Sequence, residues 1–187
     1  MKWSSKNLLS FISQSKNAKE LLKSRHGLEK ESLRVDLKGK LSKIPHPESL
    51  GHKLTHPYIS TDFAENQPEL ITPTFSDENQ ALNFLAKLHK HIYKKVDNEL
   101  LWPNSMPVKL LKNEDLPLAD FGSSNKGQEK TLYRMGLSHR YGRQVQAISG
   151  CHYNFSFSED LLKSLHKKFG SKEQSFQDFK SDKYFGM

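Results

Sequence analysis

The chain has 187 residues, 35% hydrophobic and 27% charged, which is enough apolar content to bury a core in one domain or at most two and excludes a disordered tail. No apolar stretch approaches the roughly 20 residues that cross a bilayer, and Met1-Lys2-Trp3-Ser4-Ser5-Lys6 lacks the apolar core and cleavage site of a secretory leader. With 29 Lys and Arg against 21 Asp and Glu the net charge is +8, but the lysines are scattered without an arginine-rich stripe, so a solvated basic face or a handler of anions such as nucleotides is expected before a nucleic-acid groove.

In chain order, Leu8, Leu9, Ile12, Leu21 and Leu22 predict a helix over about Lys6 to Ser24 with an interrupted apolar face. Gly27 ends it. A strand is expected over Leu28 to Val35, followed by a turn at Asp36 to Lys40. An irregular segment with His46, Pro47, Gly51, His52, His56 and Pro57 leads to extended segments at Tyr58 to Phe63 and Glu69 to Thr72. Ser76 is the expected N-cap of the clearest helix, in which Ala81, Leu82, Leu85, Leu88, His89, Ile92 and Val96 form a core stripe. Phe121 to Gly127 reads as a flexible loop without the spacing of a phosphate-binding P-loop, and a short helix is expected over Lys130 to Tyr141. Val145 to Ser158 reads as a strand with Val145, Ala147, Cys151, Tyr153, Phe155 and Phe157 on a core face and Gln146, Ile148, His152, Asn154 and Ser156 on a polar one. Cys151, the single cysteine, precludes an internal disulfide, fits a reducing cytoplasmic setting, and is expected to be buried. The Asn154-Phe155-Ser156 sequon is incidental in a strand.

The chemistry concentrates in carboxylates set within strand-like sequence. In an extended Leu28–Val35, Glu29 and Glu31 project to the same side, with Leu33 and Val35. Neighbouring like charges are tolerated when both face water, when one is protonated, or when a cation lies between them. Glu29, Glu31, Asp62, Glu65 or Glu69, and His152 together would suit magnesium-assisted phosphoryl transfer, because hard ions prefer oxygen donors and no cysteine cluster or His-x-x-x-His pair favours zinc. Exposed acids pairing with the many lysines are the alternative.

Nine ordered segments carry a further signal: Gly27-Leu28-Glu29-Lys30-Glu31-Ser32-Leu33-Arg34-Val35, His46-Pro47-Glu48-Ser49-Leu50-Gly51, Leu54-Thr55-His56, Thr61-Asp62-Phe63-Ala64-Glu65, Glu69-Leu70-Ile71-Thr72-Pro73, Trp102-Pro103-x-Ser105-Met106-Pro107, Thr131-Leu132-Tyr133-Arg134-x-Gly136-Leu137, Arg140-Tyr141-Gly142, and Ile148-Ser149-Gly150-x-His152-Tyr153-Asn154-Phe155-Ser156. From about residue 20 to the end they resemble the amino-terminal part of bacterial glutamate–cysteine ligase of the proteobacterial type. The resemblance implies an α+β fold of the glutamine-synthetase-like carboxylate–amine ligase kind, with a curved, mainly antiparallel sheet carrying the site and helices outside. It implies ATP-dependent joining of L-glutamate, through a γ-acyl phosphate, to L-cysteine, the first step of glutathione synthesis. Glu29, Glu31, Asp62, Glu69 and His152 match family positions around Mg²⁺ (or Mn²⁺), with Glu65 a weaker candidate. Tyr133 and Ile148 match the cysteine pocket, and Arg134 a phosphate contact, since a guanidinium meets two oxygens at once. Partners implied are the three small molecules, with no nucleic acid and no membrane.

Members of that family are much longer, and the match continues to Tyr184-Phe185-Gly186-Met187. The expectation is therefore the amino-terminal part of a single catalytic domain over residues 1–187, with little ligase activity alone. A basic nucleic-acid-binding module and a non-catalytic remnant are the rival readings.

Overall fold

The computed structural model describes residues 4–107, 109 and 112–186; Met1 to Trp3, part of the segment read for a leader, and Met187 lie outside them. In chain order the elements are α1 (Ser5–Ile12), α2 (Ser15–Leu21), β1 (Arg25–Glu31), β2 (Arg34–Asp36), β3 (Ile59–Thr61), β4 (Pro68–Ile71), α3 (Glu78–Tyr93), β5 (Glu99–Leu101), α4 (Asn125–Tyr141), α5 (Arg143–Gln146), β6 (Cys151–Ser156), α6 (Glu159–Phe169) and α7 (Phe176–Phe185). The fold is α+β with antiparallel pairing, as expected, and among the described residues no helix is long and apolar enough to cross a membrane. The chain divides into two compact units, residues 27–154 and residues 1–26 with 155–187.

In the first unit the strand order is β3-β4-β1-β6, and β2 pairs with β5 in a separate two-stranded sheet. Register assigns the faces. Glu31 opposes Glu69, Glu29 opposes Ile71, Ser60 opposes Glu69, and Ile59 opposes Leu70. Residues directly opposite share a face, so Glu29, Glu31 and Glu69 stand on one side while Ile59 and Leu70 stand on the other. The second side is core: Ile59 and Leu70 pack with Leu50, Leu88, Ile92, Val96 and Leu101, which places the apolar stripe of α3 behind the acidic face. Leu82 is exposed and lies outside that stripe, and the cap of α3 is Asp77, whose carboxylate accepts from the Asn79 N–H, one residue after the expected Ser76.

The expected strand through Leu28 to Val35 is broken at Ser32–Leu33. The Leu33 side chain enters a second core with Phe63, Ala64, Leu116 and Ala147, and Arg34 starts β2 opposite Leu101. The expected strand from Val145 is likewise shortened, because Arg143–Gln146 closes a helical turn before β6 begins. The expected core face of that strand is corrected too: Cys151 is exposed, and so are Tyr153 (56%) and Phe155. β6 is an outer strand of its sheet, and among the described residues none of its side chains belongs to an apolar cluster that would cover it.

Helix α4 begins five residues earlier than expected. Ser124 caps it by accepting from the Gly127 N–H at 3.1 Å, so the last three residues of the expected flexible loop, Asn125 to Gly127, are helix. A Cβ on Gly127 would come within 2.5 Å of the Phe121 carbonyl oxygen and 2.6 Å of that of Gly122. Both are backbone atoms that cannot swing away, so Gly127→Ala is expected to cost about 1–3 kcal/mol in denaturant unfolding; a wild-type midpoint would contradict this close approach.

In the second unit Leu161, Leu162, Leu165 and Phe179 form the core, flanked by Leu8, Phe11 and Leu21. The single amino-terminal helix expected there is two. The Asn17 side-chain amide donates to the Phe11 carbonyl at 2.8 Å, so a polar group satisfies a carbonyl that a continuous helix would bond, while the Ser13 hydroxyl adds a second donor to Leu9 O at 2.7 Å beside the Ser13 N–H; Leu9 and Leu22 are left exposed.

Candidate functional site: an acidic sheet face with one fixed guanidinium

Glu31 is 8% exposed. Its Oε2 accepts the Gly150 N–H at 2.7 Å, and its own N–H donates to the Gly150 carbonyl at 3.0 Å. Glu29 is held differently: Asn154 Nδ2 donates to Oε1 at 2.8 Å, and His152 Nδ1 lies 3.4 Å from Oε2. His152 therefore does face the acids from the polar side of β6. A Cβ at Gly150 would sit 2.9 Å from His152 Nε2 and 3.5 Å from Glu31 Oε1, so this glycine leaves room for both groups.

Asp62 directly follows β3, and Glu69 lies across the ladder from Glu31. Both are largely shielded from water, and their acidity records it. Burial first, then the Glu31 charge, pushes Asp62 up to about 6, against the opposing pull of Arg134 and His152. Burial first, then the charges of Asp62, Glu31 and Glu29, pushes Glu69 up to about 7. Four carboxylates thus share one field whose cationic neighbours include Arg134, Lys30 beside Glu31 and, when protonated, His152. Arg134, on α4, donates through Nε to the Asp62 carbonyl, through Nη1 to Lys130 O at 2.9 Å and through Nη2 to Thr61 O at 3.5 Å.

Glu65 stands apart from this group. Its Oε1 takes the Lys53 ammonium and the Asp120 N–H at 2.7 Å, and its Oε2 the His46 N–H at 2.9 Å. Burial alone would raise its pKa; these donors hold it below the ordinary carboxylate value. Glu65 is a structural hub. Tyr133 lies beside Arg134 on α4, 61% exposed, and Ile148 sits half-exposed in the turn before β6.

Gly150 and Asn154, which hold two of the acids, were not anticipated. Asn154 had a signal, since it shares the parity of His152; Gly150 acts through its backbone and has none. Among the described residues no three His, Cys, Asp or Glu side chains are grouped closely enough to grip one ion by themselves. The donor chemistry nevertheless fits hard divalent cations: carboxylate oxygens and one imidazole, in negative excess, with two acids forced towards protonation when no cation is present.

The family model for glutamate–cysteine ligase matches residues 9–187. Curated glutamate–cysteine ligases from Alcanivorax borkumensis and Shewanella pealeana are 46% and 44% identical over 87% and 91% of this chain. The chain spans about a third of their length, 31% and 33%. Among solved structures, the glutamate–cysteine ligase of Francisella tularensis in complex with AMP aligns at a TM-score of 0.78 and 41% identity, covering 83% of this chain and 31% of that one. A bifunctional glutathione synthetase from Pasteurella multocida aligns at 0.82 and 35% identity, covering 93% and 22%. By its sequence and its fold, the chain belongs to the glutamate–cysteine ligase family.

Proposed function

We propose that this chain supplies the acidic, phosphate-facing part of an ATP-dependent ligase that joins the γ-carboxylate of L-glutamate to the amino group of L-cysteine through an acyl phosphate. The observation that carries the reading is the convergence of Glu29, Glu31, Asp62 and Glu69 on one face, beside His152 and a single fixed guanidinium.

Glu29, Glu31, Asp62, Glu69 and His152 would hold Mg²⁺ or Mn²⁺, which supplies charge neutralisation to the transferring phosphoryl group. Among the described residues no three such side chains are grouped on one ion, so water and nucleotide oxygens would complete its coordination, as suits an ion that dehydrates reluctantly. Arg134 stands beside the acids as a positive pole for an anionic group. Tyr133 and Ile148 offer an aromatic ring and a small apolar wall to the cysteine side chain. A carboxylate oxygen is a poor leaving group and a phosphate a good one, which is why the energy of ATP is spent on glutamate before the amine attacks. Residues 1–187 alone are expected to bind cation with little turnover, and the setting is cytoplasmic, consistent with one exposed, unpaired Cys151.

Calorimetric titration of Mg²⁺ with a non-hydrolysable ATP analogue into wild type and Glu29→Gln tests this reading. The variant is expected to bind the cation at least about tenfold more weakly. Identical titrations, or strongly salt-dependent binding of DNA or RNA indifferent to Glu29→Gln, would overturn it in favour of a remnant or a basic nucleic-acid module.

A further inference from the structure

Phe121 is 1% exposed, yet it belongs to none of the three apolar clusters among the described residues. Its ring is surrounded instead by cations. The Arg134 guanidinium carbon lies 4.4 Å from the ring centre, Lys130 Nζ 5.1 Å and Lys53 Nζ 5.8 Å. A phenyl ring that only filled space would gather hydrocarbon.

We propose that Phe121 is a positioning residue for Arg134: its buried ring is the platform that fixes the guanidinium beside the acidic face. The functional consequence rests on the ligase reading above. Three carbonyls, Asp62 O, Thr61 O and Lys130 O, engage three of the five guanidinium N–H groups. They fix where the group sits; the ring face, attractive to a cation, fixes its plane. The platform is itself anchored from two sides. Asp120 N–H donates to Glu65 Oε1 at 2.7 Å and Ala119 N–H to Phe63 O at 3.0 Å, tying the segment to the turn after β3. Phe121 N–H donates to Thr131 Oγ1 at 3.3 Å, and Gly127 lets the first turn of α4 approach the Phe121 carbonyl. The same anchoring explains what Glu65 and Lys53 do: they hold the platform rather than a ligand. An anion arriving at the acids then meets a cation already oriented, with no ordering left to do at that moment.

The test uses the 187-residue chain. In ¹H–¹⁵N spectra the Arg134 Nε–H, assigned by its loss in Arg134→Lys, is expected to be shifted upfield by the ring and slow to exchange. In Phe121→Leu, which keeps an apolar side chain, exchange is expected to speed at least tenfold and the upfield shift to vanish, while the backbone amides of β1 and β4 stay in place. Replacing Phe121 by phenylalanines with increasing ring fluorination keeps the shape and drains the ring face of its attraction; exchange is expected to quicken stepwise, which a space-filling ring would not produce. These variants also serve if Phe121→Leu fails to fold. Exchange indifferent to both substitutions overturns the inference whatever ligands do. With Mn²⁺ and a non-hydrolysable ATP analogue, Phe121→Leu is expected to weaken nucleotide binding about tenfold and Mn²⁺ binding less than twofold. Loosened Arg134 with unchanged nucleotide affinity would overturn the functional consequence. Wild type that binds no Mn²⁺ would overturn the ligase reading and leave the platform judged by the spectra alone.

Discussion

Replacing Arg34 by methionine is expected to destabilise the chain by about 3–5 kcal/mol, the cost of stranding a buried charge. Arg34 is 1% exposed. Its Nη1 donates to the Glu99 carboxylate, and its Nη2 to the carbonyls of Ile44, Pro45 and, at 3.4 Å, Glu65. One guanidinium thus joins β5, the irregular segment at residues 44–45 and the turn that carries Glu65. Methionine fills the volume but leaves Glu99, itself buried, without its counter-charge and several carbonyls without a donor. A domain stable by roughly 5–15 kcal/mol cannot lose that much without populating unfolded chain. Adding Glu99→Gln to Arg34→Met should recover part of the loss, since an amide needs no counter-charge; urea unfolding of the single and double variants measures both. A single-variant loss below about 1 kcal/mol would mean that the ion pair is not the buried tie described.

The second large effect is electrostatic. Glu69 titrates near 4.5 in an unfolded chain and is pushed up to about 7 when folded. Between those values the folded state holds the extra proton, so raising the pH withdraws it and the folded state loses stability relative to the unfolded one. Glu69→Gln removes that loss. The stability difference between Glu69→Gln and metal-free wild type is therefore expected to move by about 2–3 kcal/mol in favour of the variant from pH 4 to pH 8. His46 works in the opposite direction: burial lowers it to about 4, so it adds stability as pH rises towards 6.5, but it is common to both proteins and cancels in the difference. Saturating Mn²⁺ should reverse the preference at pH 8, because a cation binds the ionised wild-type face more tightly than the amide variant. Parallel pH profiles without metal would show that the four carboxylates do not share one field.

Much of the acidic face was legible from strand alternation. Glu29 and Glu31 at spacing two needed only an extended chain, and His152 fell on the correct parity of β6. That neither face of β6 is covered was not legible: alternation separates two faces, but it does not say whether another element packs on either of them, and Cys151 and Tyr153 are exposed. The break after Glu31 was hidden because Leu33 and Val35, both buried, fit a continuing strand as well as the broken one; it is decided by the distant pairing of Arg34 with Leu101 and Glu99. The role of Phe121 was hidden by its neighbours Gly122, Ser123 and Ser124, which suggest a loop, although Ser124 three residues before a well-packed Gly127 is also a helix-capping signal. The clustering of Asp62 and Glu69 with the first strand depends on the antiparallel register, which the resemblance implied and spacing alone did not.

Whether the acids of one sheet face hold divalent cations together is read from Mn²⁺ located by anomalous X-ray scattering in crystals of the chain grown with Mn²⁺ and a non-hydrolysable ATP analogue. Metal peaks are expected within about 2.0–2.3 Å of carboxylate oxygens of Glu29, Glu31, Asp62 or Glu69, or of a His152 ring nitrogen. Peaks confined to other parts of the surface, with these five side chains uncoordinated, would contradict it.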